Sequence, residues 1–263
     1  TAQLNYTGSI DFAYETWRGN LIYASTMMQG LSSVISYWAG DKYMLNEGYT
    51  AAYWEKAYPD QVKYAADLVE FTKGKPQYNN VYQMGRIWKA LIFQRLTDLY
   101  GDVPYSEAGT GYYTGNLYPK YDSQQAIYTD LLKEVDEATN ALNASGDAVS
   151  GDLVYAGDIA KWKRFGYSLM LRMAMRLTKA DATLAQTYIN KAVGKTMTGD
   201  ADNAFFKHDA GGGRPTQNRN AQVLLGDGGQ ENYYTRWSST FINYLKTNAD
   251  PRLSKVAVTK LYL

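Results

Sequence analysis

The chain has 263 residues, of which 45% are hydrophobic, with 27 Lys and Arg residues against 26 Asp and Glu residues. This length and apolar content allow one large or two medium globular domains and exclude a disordered chain. The net charge of +1 gives no electrostatic basis for a general nucleic-acid-binding protein, which needs an excess of basic residues.

The residue counts also restrict the chemistry that the chain can perform. It has no cysteine, which excludes disulfides, iron–sulfur clusters and cysteine nucleophiles. The single histidine, His208, disfavours a histidine-based zinc site because metal ligands occur in clusters. A serine nucleophile would need this same histidine as its base, and the glycine-rich sequence around it predicts an exposed loop residue. We therefore predict no metal, no organic cofactor and no catalytic cysteine, serine or histidine.

The first predicted helix covers residues 19–40, the longest uncharged run of the chain. Its length of 22 residues would match a membrane span, but serine, threonine, asparagine and glutamine recur all through it. Its larger apolar residues are spaced by three and four positions, which is typical of a helix with one face buried in protein. These residues are Leu21, Ala24, Met28, Leu31, Ile35 and Trp38.

The same spacing predicts further helices at residues 49–73, 81–100, 122–142, 158–177, 181–194 and 237–245. Pro59 is expected to kink or interrupt the first of these. Gly101 follows the second at a position that favours a left-handed closing residue. Asp122 and Gln125 resemble a capping box, and Asp158 can cap the helix that follows it.

Two of these helices carry opposite charges. The charged residues of 122–137 sum to −4, and those of 158–179 sum to +5. A basic amphipathic helix can lie on a membrane or on an anionic polymer. Because the acidic helix is only one short linker away, we predict instead that the two helices pack antiparallel as a hairpin.

Two stretches between the helices lack a regular period. Residues 109–121 are rich in glycine and tyrosine and are predicted to form a loop. Residues 199–236 are crowded with glycine, asparagine, aspartate and glutamine, and are predicted to form a long functional loop region. No sustained strand alternation and no repeat of fixed length is visible. The predicted fold is therefore all-α, a single helical domain over 1–263 with elaborated loops.

Some segments resemble known motifs but lack a feature that the corresponding chemistry requires. Gly109 to Gly115 has one residue too many for a dinucleotide loop and follows a helix rather than a strand. The run 211–216 lacks the Gly-Lys-Ser/Thr ending of a phosphate-binding loop. Two carboxylates, Asp102 and Glu107, lie in a turn with aromatic residues nearby, so an α-helical glycoside hydrolase stays an alternative.

Aromatic residues in the predicted loops are the main functional signal. Tyrosine accounts for 25 of the 263 residues, and all aromatic residues together for 14%. Flat rings can stack on sugar rings, and planar polar side chains can bond sugar hydroxyls. Packing at the rims of helices is the structural alternative for each ring. The candidate ligand-binding residues are Trp38, Tyr43, Asn46, Tyr112, Tyr113, Arg214, Gln217, Asn218 and Trp237.

One stretch of the chain is similar to a known family. It runs from Gly85 to Ala108, and its most specific part is Leu-Tyr-Gly-Asp-Val-Pro-Tyr at residues 99–105. Residues 121–142, residues 157–177 and the segment Asn-Ala-Asp-Pro-Arg-Leu at 248–253 agree in order. On these residues the chain resembles the SusD/RagB family of Bacteroidetes outer-membrane nutrient-binding lipoproteins, over about residues 10–255. The divergent SusD-like branch is the most similar part of that family.

The resemblance implies tetratricopeptide-like helical hairpins with long ligand-binding loops and no catalysis. It also implies capture of an oligosaccharide or similar nutrient at the external face of the outer membrane. The partner would be a SusC-like TonB-dependent transporter, to which the nutrient is delivered. The family's lipidated cysteine is absent from this chain, so we expect membrane contact only through an anchor outside it, and we expect a further C-terminal portion. A tetratricopeptide-like peptide-binding adaptor stays a second alternative, and no nucleic-acid partner is expected.

Overall fold

The computed structural model describes residues 2–9, 16–225 and 231–257, and most of its regular structure is helical. The helices are α1 (Ala2–Thr7), α2 (Glu47–Ala57), α3 (Lys63–Thr72), α4 (Asn79–Tyr100), α5 (Gly111–Thr114), α6 (Gln124–Ala141), α7 (Ile159–Arg176), α8 (Ala182–Ala192), α9 (Arg219–Leu225), α10 (Glu231–Tyr234), α11 (Ser239–Thr247) and α12 (Leu253–Val256). The strands are β1 (Leu31–Ser33), β2 (Val103–Pro104), β3 (Tyr121–Asp122) and β4 (Thr235–Trp237). β1 pairs antiparallel with β4, and β2 pairs antiparallel with β3. The predicted all-α class is confirmed.

The chain divides into two compact units. The first comprises Thr1–Tyr6 and Ala57–Lys207, and it holds the long helices α3, α4, α6, α7 and α8. The second comprises Thr7–Lys56 and His208–Leu263, and it holds α9 to α12 together with the β1–β4 pair.

The first unit is a series of antiparallel helices in which each long helix packs against the next. Contacts run from α3 to α4, from α4 to α6, from α6 to α7 and from α7 to α8. Asn80 at the start of α4 donates to the carbonyl of Asn143, just past the end of α6, over 2.9 Å. Asp98 near the end of α4 accepts from Tyr128 near the start of α6 over 2.5 Å. These contacts form the helical hairpins that the resemblance implies. The interior side chains are fully buried and include Ile87, Phe93, Leu131, Leu132 and Met170.

The predicted hairpin of α6 and α7 is present, but opposite charge does not explain it. Gly166 of α7 lies against Thr139 of α6, and the Tyr167 hydroxyl donates to Asn140 over 2.8 Å. The acidic residues of α6 pair elsewhere, with Arg86 on α4 and Lys191 on α8. Close approach at a glycine and a hydrogen bond therefore join α6 to α7, whereas ion pairs join α6 to α4 and α8.

Short polar side chains cap the N-termini of three long helices, α6, α7 and α8. Asp158 caps α7 by accepting from the Lys161 amide over 3.1 Å, which confirms that prediction. The predicted capping box at Asp122 is wrong by one residue, because the hydroxyl of Ser123 accepts from the Ala126 amide instead. The Asp122 carboxylate instead accepts a hydrogen bond from the Ser106 amide over 2.7 Å.

The segment that carries the family resemblance, residues 99–105, has an architectural role. Gly101 ends α4 with a φ of +74°, as predicted. Asp102 accepts from the Gln124 amide at the start of α6 over 2.8 Å. Pro104 lies in the β2–β3 pair, and the buried Tyr105 donates its hydroxyl to Asp130 over 2.6 Å. The segment closes one helix and connects it to the next.

The predicted helix over 19–40 is wrong in its second half. A π-helix spans Arg18–Ser25, and the chain then turns at Gln29 and Gly30 into β1. Met28, which the predicted stripe placed on the buried face, is 83% exposed. Other residues of the stripe are buried by a different route, in a small core of the second unit formed by Trp17, Leu21, Ile22, Leu31, Trp38 and Val223.

The predicted interruption at Pro59 is confirmed. A π-helical segment, Tyr58–Val62, divides the helix over 49–73 there, because proline has no amide hydrogen to donate. Two other predictions need smaller corrections. The loop 109–121 contains the one-turn helix α5. Within the predicted loop region 199–236, the described residues include α9, α10 and the start of β4. Among the residues that the structure describes, no helix has the length and apolar character needed to cross a membrane.

Candidate functional site

The candidate ligand-binding residues fall into both units. Tyr112 and Tyr113 belong to the first unit, and the other seven belong to the second. Their environments differ from one group to the next.

Trp38 does not face a ligand. Its side chain is fully buried in the small core of the second unit, with 0% of its surface exposed. The prediction placed it in a loop after a long helix, whereas the chain reverses at Gln29 and returns the indole to the interior. This residue is therefore a core residue, and its ring face is not available to a sugar.

Three polar candidates bond the backbone of their own loops. Asn46 caps α2 by accepting from the Tyr49 amide over 3.1 Å. Gln217 donates to the carbonyl of Gly212 over 2.9 Å. Asn218 caps α9 by accepting from the Ala221 amide over 2.9 Å. Arg214 lies exposed in the same loop as Gln217. Asparagine and glutamine side chains often stabilise loops in this way, so these contacts indicate a structural role.

Tyr43 is exposed, and its hydroxyl is hydrogen-bonded. Its side chain is 61% exposed, and its backbone adopts a φ of +53°, which is uncommon for a residue other than glycine. Gln29, at φ +58°, donates its side-chain amide to the Tyr43 hydroxyl over 3.0 Å. Backbone strain of this kind concentrates at functional sites. Gln29 is not among the predicted site residues, and the adjoining Gly30 is the sequence signal of a turn here.

Trp237 is next to a residue, Ser238, that hydrogen-bonds to the turn at Gln29 and Gly30. It lies in β4 opposite Leu31 and is 44% exposed. Its indole N–H donates to the Val256 carbonyl over 2.6 Å, and its ring packs on Phe241 with centroids 5.2 Å apart. The next residue, Ser238, donates its amide to the Gly30 carbonyl over 3.0 Å and its hydroxyl to the Gln29 carbonyl. We call Gln29, Tyr43 and Trp237 the turn surface.

A second exposed aromatic group lies on the loop around α5 in the first unit. Tyr112 is 93% exposed and Tyr118 is 90% exposed. Tyr113 packs its ring edge on Tyr112 and donates its hydroxyl to Asp67 over 2.6 Å, which raises the pKa of Tyr113 to about 12. The Glu107 carboxylate stabilises this loop by accepting a hydrogen bond from the Asn116 side chain over 2.8 Å. We call these three tyrosines the loop surface.

The acidic and histidine side chains that could serve in catalysis make structural hydrogen bonds instead. Asp102 accepts from the start of α6, and Glu107 accepts from the loop around α5. His208 is partly buried rather than exposed, and its two ring nitrogens lie 3.1 Å from the carbonyl oxygens of Thr7 and Thr216. Within residues 2–9, 16–225 and 231–257, no cluster of three metal-ligating side chains is found.

The helical hairpins, with exposed aromatic rings on the loops, place the chain in a class of helical scaffold proteins. Residues 3–262 match the model of a SusD-like family described as starch-binding and associating with the outer membrane. The chain therefore belongs to this SusD-like family, as the resemblance in its sequence indicated.

Solved structures agree with the family match. A chitin-binding protein is 34% identical with a TM-score of 0.86 over 98% of this chain and 53% of its own. A SusD-like protein labelled Bacteroidetes AC2a is 28% identical with a TM-score of 0.82, over 97% of this chain and 48% of its own. A chitin-binding SusD homologue from Flavobacterium johnsoniae is 24% identical with a TM-score of 0.80, over 96% of this chain and 52% of its own, and supports the fold.

The chain spans about half the length of the solved structures that it matches. No match was found among curated proteins.

Proposed function

We propose that the chain is part of a noncatalytic cell-surface protein that captures an oligosaccharide. The observation that carries this proposal is the match of residues 3–262 to a family described as starch-binding and associating with the outer membrane. The exposed rings of the turn surface and the loop surface supply the flat apolar faces that sugar binding requires. Structural contacts occupy Asp102, Glu107 and His208, which supports binding without cleavage.

The first ligand to test is an oligomer of N-acetylglucosamine. A similar protein at 34% identity is a chitin-binding protein, and the family is described as starch-binding. At the turn surface, the Tyr43 ring would stack on a sugar face while the Gln29 amide holds the ring in place. Trp237 would offer a second ring, and its indole N–H is already bonded, so its contribution would come from its face.

The binding proposal can be tested by calorimetry with three neutral hexasaccharides: chitohexaose, cellohexaose and maltohexaose. We expect saturable binding, and we expect Tyr43→Ala to weaken it by about five- to tenfold, as loss of one stacked ring implies. Tyr244→Ala is the matched control, because Tyr244 is also an exposed tyrosine of the second unit, at 63%, but is not part of the turn surface. Absence of binding to all three sugars would contradict the proposal.

A reducing-end assay on the same mixtures separates binding from hydrolysis. We expect no new reducing ends after prolonged incubation. Their appearance, and their loss in Glu107→Gln, would favour the glycoside hydrolase alternative.

We further propose that a lipid anchor holds the whole protein at the external face of the outer membrane and that it passes its ligand to a SusC-like TonB-dependent transporter. The family description supports outer-membrane association. Chemical cross-linking of outer membranes that contain the full-length protein tests this partner. We expect cross-links to a TonB-dependent transporter, and their absence at native expression levels would contradict it. The single domain and the further C-terminal portion stay predictions.

A further inference from the structure

The first unit has a polar groove at the end where α6 begins and α7 ends. The groove has a volume of about 550 Å³, which lies in the range of small-molecule sites. Its lining residues come from the last turns of α4 and α7, the first two turns of α6 and the turn that leads into α8. Leu177, Ala180 and Leu184 are apolar, and the other lining residues are polar or charged. The proposed function does not use this groove.

The charged side chains of the groove are held in place but keep free hydrogen-bonding atoms. The Nε of Arg176 donates to the Tyr128 hydroxyl over 3.1 Å and lies 3.2 Å from the Asp98 carboxylate. Its two terminal nitrogens make no hydrogen bond to any residue that the structure describes. Asp181 caps α8 with one carboxylate oxygen, which accepts from the Leu184 amide over 2.9 Å. Its other oxygen accepts nothing from the described residues. The groove therefore offers preorganised donors and a preorganised acceptor.

The neutral polar side chains of α6 add further donors and acceptors. Thr129 lies one turn after Gln125 and donates its hydroxyl to the Gln125 carbonyl over 2.8 Å, so the hydroxyl oxygen can still accept. The side-chain amide of Gln125 can donate and accept, and it makes no hydrogen bond within the described part of the chain. Guanidinium, carboxylate and amide groups are planar, and each has two atoms with which to bond a pair of adjacent hydroxyl groups.

The chemistry of the lining selects among classes of ligand. Two carboxylates and one guanidinium give it a formal charge of −1, which disfavours an anion, and the guanidinium itself disfavours a cation. An apolar molecule would remove Arg176 and Asp181 from water without replacing their hydrogen bonds, which is unfavourable. A neutral molecule rich in hydroxyl groups replaces those bonds, and its C–H surface can contact Leu177 and Leu184.

We propose that this groove is a second carbohydrate site, which binds a single neutral pyranose by hydrogen bonds rather than by ring stacking. Arg176 and Asp181 bond adjacent hydroxyl groups of the sugar, and Gln125 and Thr129 bond the others. The C–H face of the pyranose lies against the apolar lining residues. The inference rests on the proposed function in taking a sugar as the ligand, but it concerns a different unit from the turn surface.

The test is an NMR titration of 15N-labelled protein with the methyl glycosides of glucose, galactose, mannose and N-acetylglucosamine. We expect at least one of them to bind saturably in the millimolar range. It should shift the side-chain amide signal of Gln125 and the backbone signals of residues 124–129 and 176–184. Methyl glucuronide differs from methyl glucoside by a carboxylate in place of a hydroxymethyl group. It should bind more weakly than methyl glucoside, because the lining is already negative.

Gln125→Ala is the diagnostic variant, because Gln125 is exposed and its side chain bonds no described residue. It should weaken monosaccharide binding about three- to tenfold, as the loss of one hydrogen bond implies. Gln186→Ala is the matched control, since Gln186 is also an exposed helical glutamine of the first unit but does not line the groove. Asp181→Asn should also weaken binding while the cap of α8 is retained, because asparagine caps helices as well as aspartate does.

The proposal would be overturned if none of the four glycosides shifted the groove signals of the wild-type protein. Equal affinities of Gln125→Ala and Gln186→Ala would also overturn it, as would tighter binding of methyl glucuronide than of methyl glucoside. The hexasaccharide calorimetry with Tyr43→Ala reports on the turn surface, whereas these signals report on the groove. Either proposal can therefore fail alone.

Discussion

Trp38 and Trp237, the two tryptophans predicted to contact ligand, differ in burial. Substitution by alanine should therefore affect mainly stability at Trp38 and mainly sugar binding at Trp237. Trp38 is fully buried, so Trp38→Ala should lower the free energy of unfolding by about 3–5 kcal/mol. Trp237 is 44% exposed, so Trp237→Ala should cost less stability and should weaken sugar binding. Urea denaturation and calorimetry on both variants measure the two quantities. Equal losses of stability would show that Trp237 is also a core residue.

A second prediction at the residue scale concerns the backbone of Gly101. Its φ is +74°, and an added Cβ would meet no atom within 4 Å, so any cost of a side chain comes from the backbone alone. Gly101→Ala should destabilise the protein by about 1–3 kcal/mol in urea denaturation. Gly199→Ala is the control, because Gly199 has an extended backbone and equally open surroundings. Similar results for the two variants would show that α4 does not require this conformation.

At the scale of elements, the contact between α6 and α7 depends on the absence of a side chain at Gly166. A Cβ built there would lie 2.0 Å from the Thr139 hydroxyl oxygen and 3.0 Å from its Cγ2. Gly166→Ala should therefore destabilise the protein by about 1–3 kcal/mol through overpacking. Adding Thr139→Ala should recover part of this loss, because it removes two of the three crowded atoms. A double-mutant cycle in urea with no coupling between the sites would contradict the close approach.

The pair formed by Arg86 and Glu134 joins α4 to α6 and makes stability depend on pH. Burial of Glu134 opposes its ionisation, but the hydrogen bonds and charge of Arg86 outweigh burial, so the pKa of Glu134 lies below its usual 4.5. A carboxyl group with a lowered pKa stabilises the fold when ionised, and this stabilisation is lost as the pH falls through its folded pKa.

Glu134→Gln should therefore lower the melting temperature at pH 7, and the difference from wild type should shrink toward pH 3. Glu137→Gln is the matched control, since Glu137 bonds the same guanidinium but is 49% exposed, and its effect should be smaller at neutral pH. Thermal melts at several pH values measure both. A difference for Glu134→Gln that stays constant with pH would contradict the assigned role.

The long helices of the first unit could be predicted because each carries several consistent signals. α4, α6, α7 and α8 have apolar residues at helical spacing, and polar caps such as Asp158 mark the starts of α6, α7 and α8. The prediction of one helix over 19–40 was wrong because apolar residues spaced three and four apart can also be buried by a chain that reverses direction. The turn at Gln29 and Gly30 places Leu31 and Trp38 in the core through a strand and a loop.

The candidate site was harder to predict than the helices. Tyr43 and Trp237 are exposed as expected, but Asn46, Gln217 and Asn218 bond loop backbone. Sequence alone does not distinguish a loop amide that caps a helix from one that faces a ligand. Gln29 was missed because its contact with Tyr43 joins residues 14 apart and depends on the turn between them.

At the scale of the whole molecule, the charge balance is informative about the ligand. The chain has 27 basic and 26 acidic side chains, so its net charge is only +1. Such a protein has no strong long-range field with which to attract a charged polymer. Stacking on exposed tyrosine and tryptophan rings, by contrast, needs no charge on the ligand. Both arguments favour a neutral oligosaccharide.

A neutral ligand implies that binding is insensitive to salt. We expect the Kd for chitohexaose to change by less than about twofold between about 20 mM and about 500 mM NaCl, because screening weakens only interactions between charges. An oligogalacturonate of the same length serves as the anionic comparison, and it should bind more weakly throughout. If capture instead required the acidic sugar and fell steeply with salt, a local basic site would be responsible. The turn surface would then not be the site of recognition.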